Sequence, residues 1–342
     1  MTLLMSKVTI KRLERAVTNQ NYVEIALLNY PNSMISAIYG LSDLFRIANT
    51  MARQHQGLRR PLIRVSHWKA QESGEVTCES DTHPDLPHKP VYIILPGSMI
   101  EPVPEQATAP ISQWLVRHHH QGTTICSVCA GSFVLASAGL LDHREATTHW
   151  FFADAMAKRF PLTTLKPDKM IIDDGDIITA GGIMAWQDLG LRLVHRILGP
   201  TLMLETARFL LIDPSSREQR FYSVFSPPLY HGDEQILKVQ HWLQINGGKD
   251  VTLTQMAKKA GMGSRTFIRR FHKATEMNPT EYCQNLKISK GREMLELTHQ
   301  TVDQIAWAVG YEDPGAFRKI FQKIIGLTPS EYRTRFGVPV VA

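Results

Sequence analysis

Between Thr252 and Phe336 the chain runs through one pattern twice. Ala257-x-x-x-Gly261, Phe267-x-x-x-Phe271-x-Lys273 and Pro279-x-Glu281-Tyr282 return as Ala306-x-x-x-Gly310, Phe317-x-x-x-Phe321-x-Lys323 and Pro329-x-Glu331-Tyr332. The offset is 49 residues as far as the glycine and 50 beyond it, which places one inserted residue in the turn. A repeat of this kind constrains the architecture before any single element is assigned. Its spacing is that of a helix-turn-helix: a small residue lets the first helix lie close to the second, and a glycine supplies the positive-φ turn. Phe267 and Phe271, four apart, share the buried face of the second helix, which leaves Arg265, Thr266, Ile268 and Arg269 on or near the outward face. In the second copy Phe317 and Phe321 are the buried pair and Arg318 and Lys319 fall on the exposed side.

Pro279 to Leu297 reads as one helix joining the copies, with proline near its start. At ~1.5 Å per residue it spans roughly 28 Å, near the ~34 Å between successive major-groove faces on one side of a duplex. One chain can therefore set two reading helices in adjacent grooves. The candidate base contacts are Arg265, Thr266 and Arg269 in the first reader and Gly315, Arg318 and Lys319 in the second, where Gly315 and Ala316 offer little reach. Arginine can read guanine bidentately and lysine can hold phosphate; phosphate contact by all of them is the alternative. Charge agrees with a nucleic-acid partner. Residues 232–342 hold 16 Lys and Arg against 11 Asp and Glu, and the rest hold 22 against 21, so nearly all of the net +6 lies in the final third.

The first two thirds alternate in a different way. Val23 to Asn29, Leu62 to Ser66, Val91 to Leu95 and Thr123 to Val128 are short apolar runs of strand length. Ala37 to Met51, Ile111 to His120, Ser132 to Ala138, Met184 to Ile197 and Leu198 to Ile212 are helical in pattern, and Ile171 to Asp173 with Ile177 to Thr179 read as paired strands. Such alternation predicts an α/β sandwich around a parallel sheet. Asp213 to Arg220 and then Ser226-Pro227-Pro228 break the pattern, so we expect a leader at 1–20, an α/β domain at 21–212, a linker at 213–231, an all-α domain with two helix-turn-helix motifs at 232–336 and a tail at 337–342. The leader's apolar stretch is too short and interrupted for a secretory signal, and no run is long enough for a membrane span. Four cysteines in 342 residues suit reduced thiols in a cytoplasmic protein better than a disulfide framework.

Thr123 to Ser132 is the most informative part of the α/β region. A strand ends at Cys129, Ala130-Gly131 turns the chain, and a helix begins. This is the geometry of a nucleophile elbow, and a helix N-terminus under a cysteine favours thiolate. Cys129 is a catalytic, pocket-lining or structural thiol, and His149, in Thr147-Thr148-His149-Trp150, is a base, a ligand contact or a satisfied polar side chain. Cys126-x-x-Cys129 begins inside a strand and has no second ligand pair, which disfavours zinc or redox chemistry. His118-His119-His120 ends a helix, where solvation suits histidine better than a metal role. Gly181-Gly182 reads as a strand-to-helix turn, and Trp150 and Trp186 as packing residues that could add a cation–π contact to a quaternary amine. No cofactor or metal is expected.

Two resemblances follow from these residues. Ile305-Ala306-x-x-x-Gly310-Tyr311 with Phe317-x-x-x-Phe321, Gly326, Pro329, Glu331, Tyr332 and Arg333 makes 232–336 resemble the DNA-binding domain of AraC/XylS-type regulators. The Cys-Ala-Gly turn, the Thr-Thr-His segment and Leu95-Pro96-Gly97 make 21–212 resemble the DJ-1/PfpI superfamily, a flavodoxin-like sandwich related to class I glutamine amidotransferases. Where catalytic members place an acidic side chain beside the thiol, this chain has Ala37. The combination is similar to the GlxA-type subgroup of AraC regulators. It implies a homodimeric activator that binds promoter or operator DNA and RNA polymerase in response to a small amino acid, betaine or amine-like effector, with no membrane partner. The resemblance, with the crevice expected at the carboxyl ends of the strands, points to Cys129, His149, Gly97, Ser98 and Trp150 as effector contacts. A cysteine-dependent hydrolase, amidase-like or glyoxalase-like enzyme with a DNA-binding appendage is the competing expectation.

Overall fold

The computed structural model describes residues 22–338 except 57–62, 72–74, 99–101, 103, 215–216 and 230; the expected leader, Met1 to Gln20, lies outside them. The chain divides into two units, Met1–Gln219 and Arg220–Ala342, and the division falls within the stretch expected as a linker.

In the first unit, the strands are β1 (Val23–Asn29), β2 (Ile63–Ala70), β3 (Val76–Asp81), β4 (Tyr92–Leu95), β5 (Thr124–Val128), β8 (Ile171–Asp173) and β9 (Ile177–Ala180), with a separate small pair β6 (Glu145–Ala146) and β7 (Thr164–Leu165). The main sheet has the order β3-β2-β1-β4-β5-β9-β8. The five inner strands are parallel, and β3 and β8 close the two edges antiparallel. The inner strands are covered on both faces, which is why β1, β4 and β9 are buried along nearly their whole length and do not alternate. The sheet is thus mixed, where the alternation alone predicted a parallel one; β8 and β9 are the expected pair. Strand β3, Val-Thr-Cys-Glu-Ser-Asp, is only partly buried and carries no apolar alternation to announce it.

The connection from β1 to β2 moves one way along the sheet and that from β4 to β5 the other. With right-handed crossovers, α1 (Ile35–Gln56) and α2 (Glu105–His120) must lie on opposite faces. Helices α5 (Trp186–Leu198) and α6 (Pro200–Phe209) pack with α1, and α3 (Gly131–Ser137) packs with α2; α4 (Ala153–Arg159) completes the unit. The two helical stretches expected at Met184 to Ile197 and Leu198 to Ile212 are α5 and the shorter α6, and Gly199 (φ 88°) ends the one and starts the other. The strand order reverses between β1 and β4, the place at which open α/β sheets bind ligands beyond the carboxyl ends of their strands.

The β3 edge is pinned by a charge that the sequence did not reveal. Arg64 is fully buried, its Nε donates to Asp81 at 2.9 and 3.0 Å, and its Nη atoms donate to Leu86 O at 2.8 Å and Pro87 O at 3.0 Å. Glu24 lies 3.6 Å away and is itself held by Ser66 and the Lys89 N–H. Burial pushes the Asp81 carboxyl up, but Arg64 and the His83 N–H outweigh it and hold it below the usual range. Removing one partner of such a buried pair strands the other. Arg64→Met should destabilise the first unit by about 3–5 kcal/mol near neutrality, read from its denaturant midpoint. The folded carboxyl ionises below its unfolded value, so its share of the stability is present above about pH 4 and is lost as pH falls through the depressed pKa.

The second unit is helical: α7 (Glu234–Asn246), α8 (Leu253–Lys259), α9 (Ser264–Thr275), α10 (Pro279–Leu297), α11 (Val302–Ala308), α12 (Pro314–Ile325) and α13 (Pro329–Phe336). Thr252 and Thr301 each close a capping box, with Gln255 and Gln304, at the start of the first helix of each pair. Gly261 (φ 66°) and Gly310 (φ 83°) make the expected turns. The extra residue is where the offset put it: Met262 alone separates Gly261 from the Gly263 cap of α9, whereas Tyr311 and Glu312 separate Gly310 from the Asp313 cap of α12. Each repeat has its own core. Phe267, Phe271 and Tyr282 join Ile236, Val239 and Leu243 in one, and Phe317, Phe321 and Tyr332 join Ile288, Leu295 and Ile305 in the other. The repeated Pro-x-Glu-Tyr brings each tyrosine edge-on to the second phenylalanine, at 5.2 Å for Phe271–Tyr282 and 5.5 Å for Phe321–Tyr332. Helix α10 serves both cores, and a side chain at its Gly291 would stand 3.0 Å from the Phe317 ring.

Candidate nucleic-acid interface and crevice at the sheet's carboxyl edge

The buried phenylalanines of α9 and α12 fix which side of each helix faces solvent. Arg265, Thr266 and Arg269 are exposed on α9, and Arg318 and Lys319 are exposed on α12. Arg270, one residue on, turns away and pairs with the Asp233 cap of α7 at 2.7 Å, a structural role. Arg318 is paired with Asp303 of α11, which orients it from the first helix of its own motif.

The two readers differ at their N-termini. Gly263 caps α9 without a side chain, while Asp313 caps α12 and accepts the N–H groups of Gly315 at 2.8 Å and Ala316 at 3.0 Å. The Gly315 N–H is thus spent on a carboxylate that also repels phosphate. Arg265 and Thr266 correspond to Gly315 and Ala316 at the 50-residue offset, so the first reader carries the longer reach.

At the carboxyl edge of the first unit's sheet, the expected elbow is formed. Cys129 has φ 53°, outside the ordinary range for a residue with a Cβ, and lies between β5 and α3. Gly97 covers it: a Cβ there would stand 2.9 Å from the Cys129 Cβ. A Cβ on Gly131 would come within 2.8 Å of Pro96 O, so the turn cannot carry a larger residue at that place. The thiol, however, is not activated. Burial pushes its pKa up to about 11, only partly countered by the Ala130 N–H, which corrects the expectation that the helix start favours thiolate. The Ala37 position is fully buried and offers no carboxylate. The neighbouring Tyr30 hydroxyl, raised by burial and by Cys129, donates to Pro96 O.

Ser98 is buried beside this edge, bridged to Ser33 through the backbone, and its Oγ has no hydrogen-bond partner among the described residues. His149 makes no hydrogen bond to Cys129. Its Nδ1 accepts the Phe151 N–H at 3.1 Å, and burial lowers its pKa, so it is a neutral imidazole capping a short turn. Its ring lies against Trp150, with centroids 5.5 Å apart. The structure therefore brings Gly97, Ser98 and Cys129 to one edge, and joins the His149–Trp150 segment to it through Thr148, whose hydroxyl donates to Cys129 O at 3.1 Å.

Trp186 packs as expected, its ring over Gly40. The histidine triplet divides into separate tasks: His118 lies edge-on to Trp114 and His119 bonds Asp176 at 2.7 Å. Glu24, Asp81 and His88 do bring metal-type donors together, but the Arg64 guanidinium already sits among them. Sequence reasoning missed Gln219. Its carboxamide is buried against Thr147, Thr148 and the Trp150 N–H, and a glutamine in a polar breaker segment gives no signal of that.

Arg269→Ala should cost about 1–3 kcal/mol of discrimination at one base position, measured by titration on a site selected from random duplexes. Lys319→Ala should weaken all duplexes alike and reduce the salt slope by about 1. Alkylation of Cys129, followed by mass spectrometry of its peptide, should stay slow through pH 9, where an ordinary thiol of pKa about 8.5 is already ionised.

Comparisons with known proteins agree with both halves. The model described as a helix-turn-helix domain matches residues 256–335, and that of the DJ-1/PfpI family matches residues 43–196. The HTH-type transcriptional regulator CdhR of Pseudomonas aeruginosa is 29% identical over 67% of this chain and 69% of its own length. The HTH-type transcriptional regulator GlxA of Rhizobium meliloti is 25% identical over 93% of this chain and 98% of its own. Isonitrile hydratase of Pseudomonas putida is 38% identical over 23% of this chain and 33% of its own. With a DJ-1/PfpI domain, a helix-turn-helix domain and one regulator, GlxA, that aligns along nearly the whole chain, this protein is a DNA-binding transcription regulator of the AraC/GlxA type.

Proposed function

We propose that the first unit is a sensor whose carboxyl-edge crevice binds a small amino acid, betaine or amine-like metabolite and thereby controls promoter binding by the second. Cys129, His149, Gly97, Ser98 and Trp150 form the contacts, and Arg265, Thr266, Arg269, Arg318 and Lys319 meet the duplex, with little reach from Gly315. The protein acts as a cytoplasmic homodimer and activates transcription through RNA polymerase. The observation that carries the sensor reading is the buried setting of Cys129, with no carboxylate from Ala37 and no hydrogen bond to His149, where burial pushes the thiol up to about 11. Such a site is built to hold a molecule, not to turn one over. An effector shifts the regulator only by binding two of its states unequally.

The competing reading, cysteine-dependent hydrolysis or hydration, is favoured by the φ 53° elbow at Cys129. A thermal-shift screen of the full chain against amino acids, betaines and polyamines separates the two. An effector present at 100 times its Kd adds about 2.7 kcal/mol of stability. Cys129→Ser should weaken that shift and the effector's influence on DNA affinity, with no turnover in either protein. Turnover of a hit by the wild type, abolished in Cys129→Ser with regulation intact, would establish the enzyme.

A further inference from the structure

Gln219, the last residue of the first unit, is 1% exposed although it lies in a polar stretch of chain. Its Nε2 donates toward Thr148 O at 2.8 Å, Lys169 O at 2.9 Å and Thr147 Oγ1 at 3.0 Å, and its Oε1 accepts the Trp150 N–H at 3.1 Å. Its own N–H donates to Asp168 O at 2.9 Å, and Glu218 pairs with Lys169 both through the backbone and by a 2.8 Å ion pair. The opposite wall is Gly181. A Cβ there would stand 2.0 Å from Nε2 and 2.3 Å from Cδ, and Gly181 does not occupy the left-handed region. The glycine is therefore explained by the carboxamide it admits, not by the turn.

This is a fitted receptacle for one side chain, and its lining is unusual. Three of its four partners belong to Thr147, Thr148 and Trp150, the run that contains His149. The bound side chain belongs to the strap through which the first unit leads, by covalent connection, into the second at Arg220. We propose that Gln219 is the transmitting element of the regulator: the carboxamide locks the strap to the 147–150 segment, and displacement of that segment by a bound effector unlocks it. The signal half of this proposal rests on the sensor reading; the lock itself does not. Buried polar groups left without partners are costly, so segment and strap must move together or exchange their bonds with water together. Linkage makes the coupling reciprocal, so loosening the strap loosens the segment.

The reciprocity gives a test that needs no effector. Trypsin cuts after Arg217 and Arg220, on either side of Gln219. In the full chain, Gln219→Ala removes the carboxamide, and Gly181→Ala evicts it from the opposite wall while Gln219 itself stays unaltered. Each should speed cleavage at these two sites about tenfold, as expected when opening precedes cutting. Each should also raise hydrogen exchange at the Thr147 amide, which donates to Thr179 Oγ1 at 2.8 Å and not to Gln219, while exchange in the inner strands stays as in the wild type. Cleavage within twofold of wild type in both variants overturns the lock. Faster cleavage with an unchanged Thr147 amide overturns the coupling and leaves a mere tether. If one variant fails to fold, Thr147→Val, which removes an acceptor of the same carboxamide, takes its place under the same criteria. Because no ligand is present, either negative result leaves the sensor reading standing.

Discussion

The backbone of Cys129, more than its thiol, organises the first unit's carboxyl edge. In its left-handed conformation the N–H reaches Ala180 O at 2.8 Å, tying β5 to the end of β9. The carbonyl accepts the Ser132 hydroxyl at 2.9 Å and the Thr148 hydroxyl at 3.1 Å, tying in α3 and the His149 segment. One residue in the left-handed region thus gathers the end of β9, the start of α3 and the His149 segment around its own backbone. The strain is affordable because every polar group it redirects finds a partner.

Much of this was legible in the sequence, and the reasons are physical. The second unit was readable because its repeat samples each constraint twice: Phe267–Phe271 and Phe317–Phe321 bury one helix face each, and Gly261 and Gly310 each require positive φ. The inner strands of the first unit were readable because two-sided burial makes them short and predominantly apolar, without the alternation of a half-exposed strand. The elements that escaped lack such a signature. Strand β3 is a polar edge held by Arg64, whose partners Glu24 and Asp81 lie far away in sequence, so no local spacing exposes the cluster. Gln219 escaped for the same reason, its partners lying 50 to 72 residues away. The expectation of a thiolate failed because the dipole of a seven-residue helix is a smaller effect than the desolvation of a thiol that is 1% exposed.

The two readers carry the same scaffold with unequal equipment. Arg265, Thr266 and Arg269 stand where the second motif has Gly315, Ala316 and Lys319, and only the second motif places a carboxylate at its reader's N-terminus. Duplication supplied the fold twice, and the exposed positions, under no packing constraint, were free to diverge. Specificity can then concentrate in one reader while the other contributes mainly affinity.

Helix α10 belongs to both cores at once, giving Tyr282 and Cys283 to one and Ile288 and Leu295 to the other. It is therefore a spacer that cannot be lengthened by small steps. One added residue would turn everything beyond it by about 100° and shift it by about 1.5 Å, unseating one core or twisting the readers out of phase. The turn before α12 has no such double duty, and there the second copy does hold an extra residue. The place where this repeat tolerated growth marks, by exclusion, the length of chain that sets the register between its two readers.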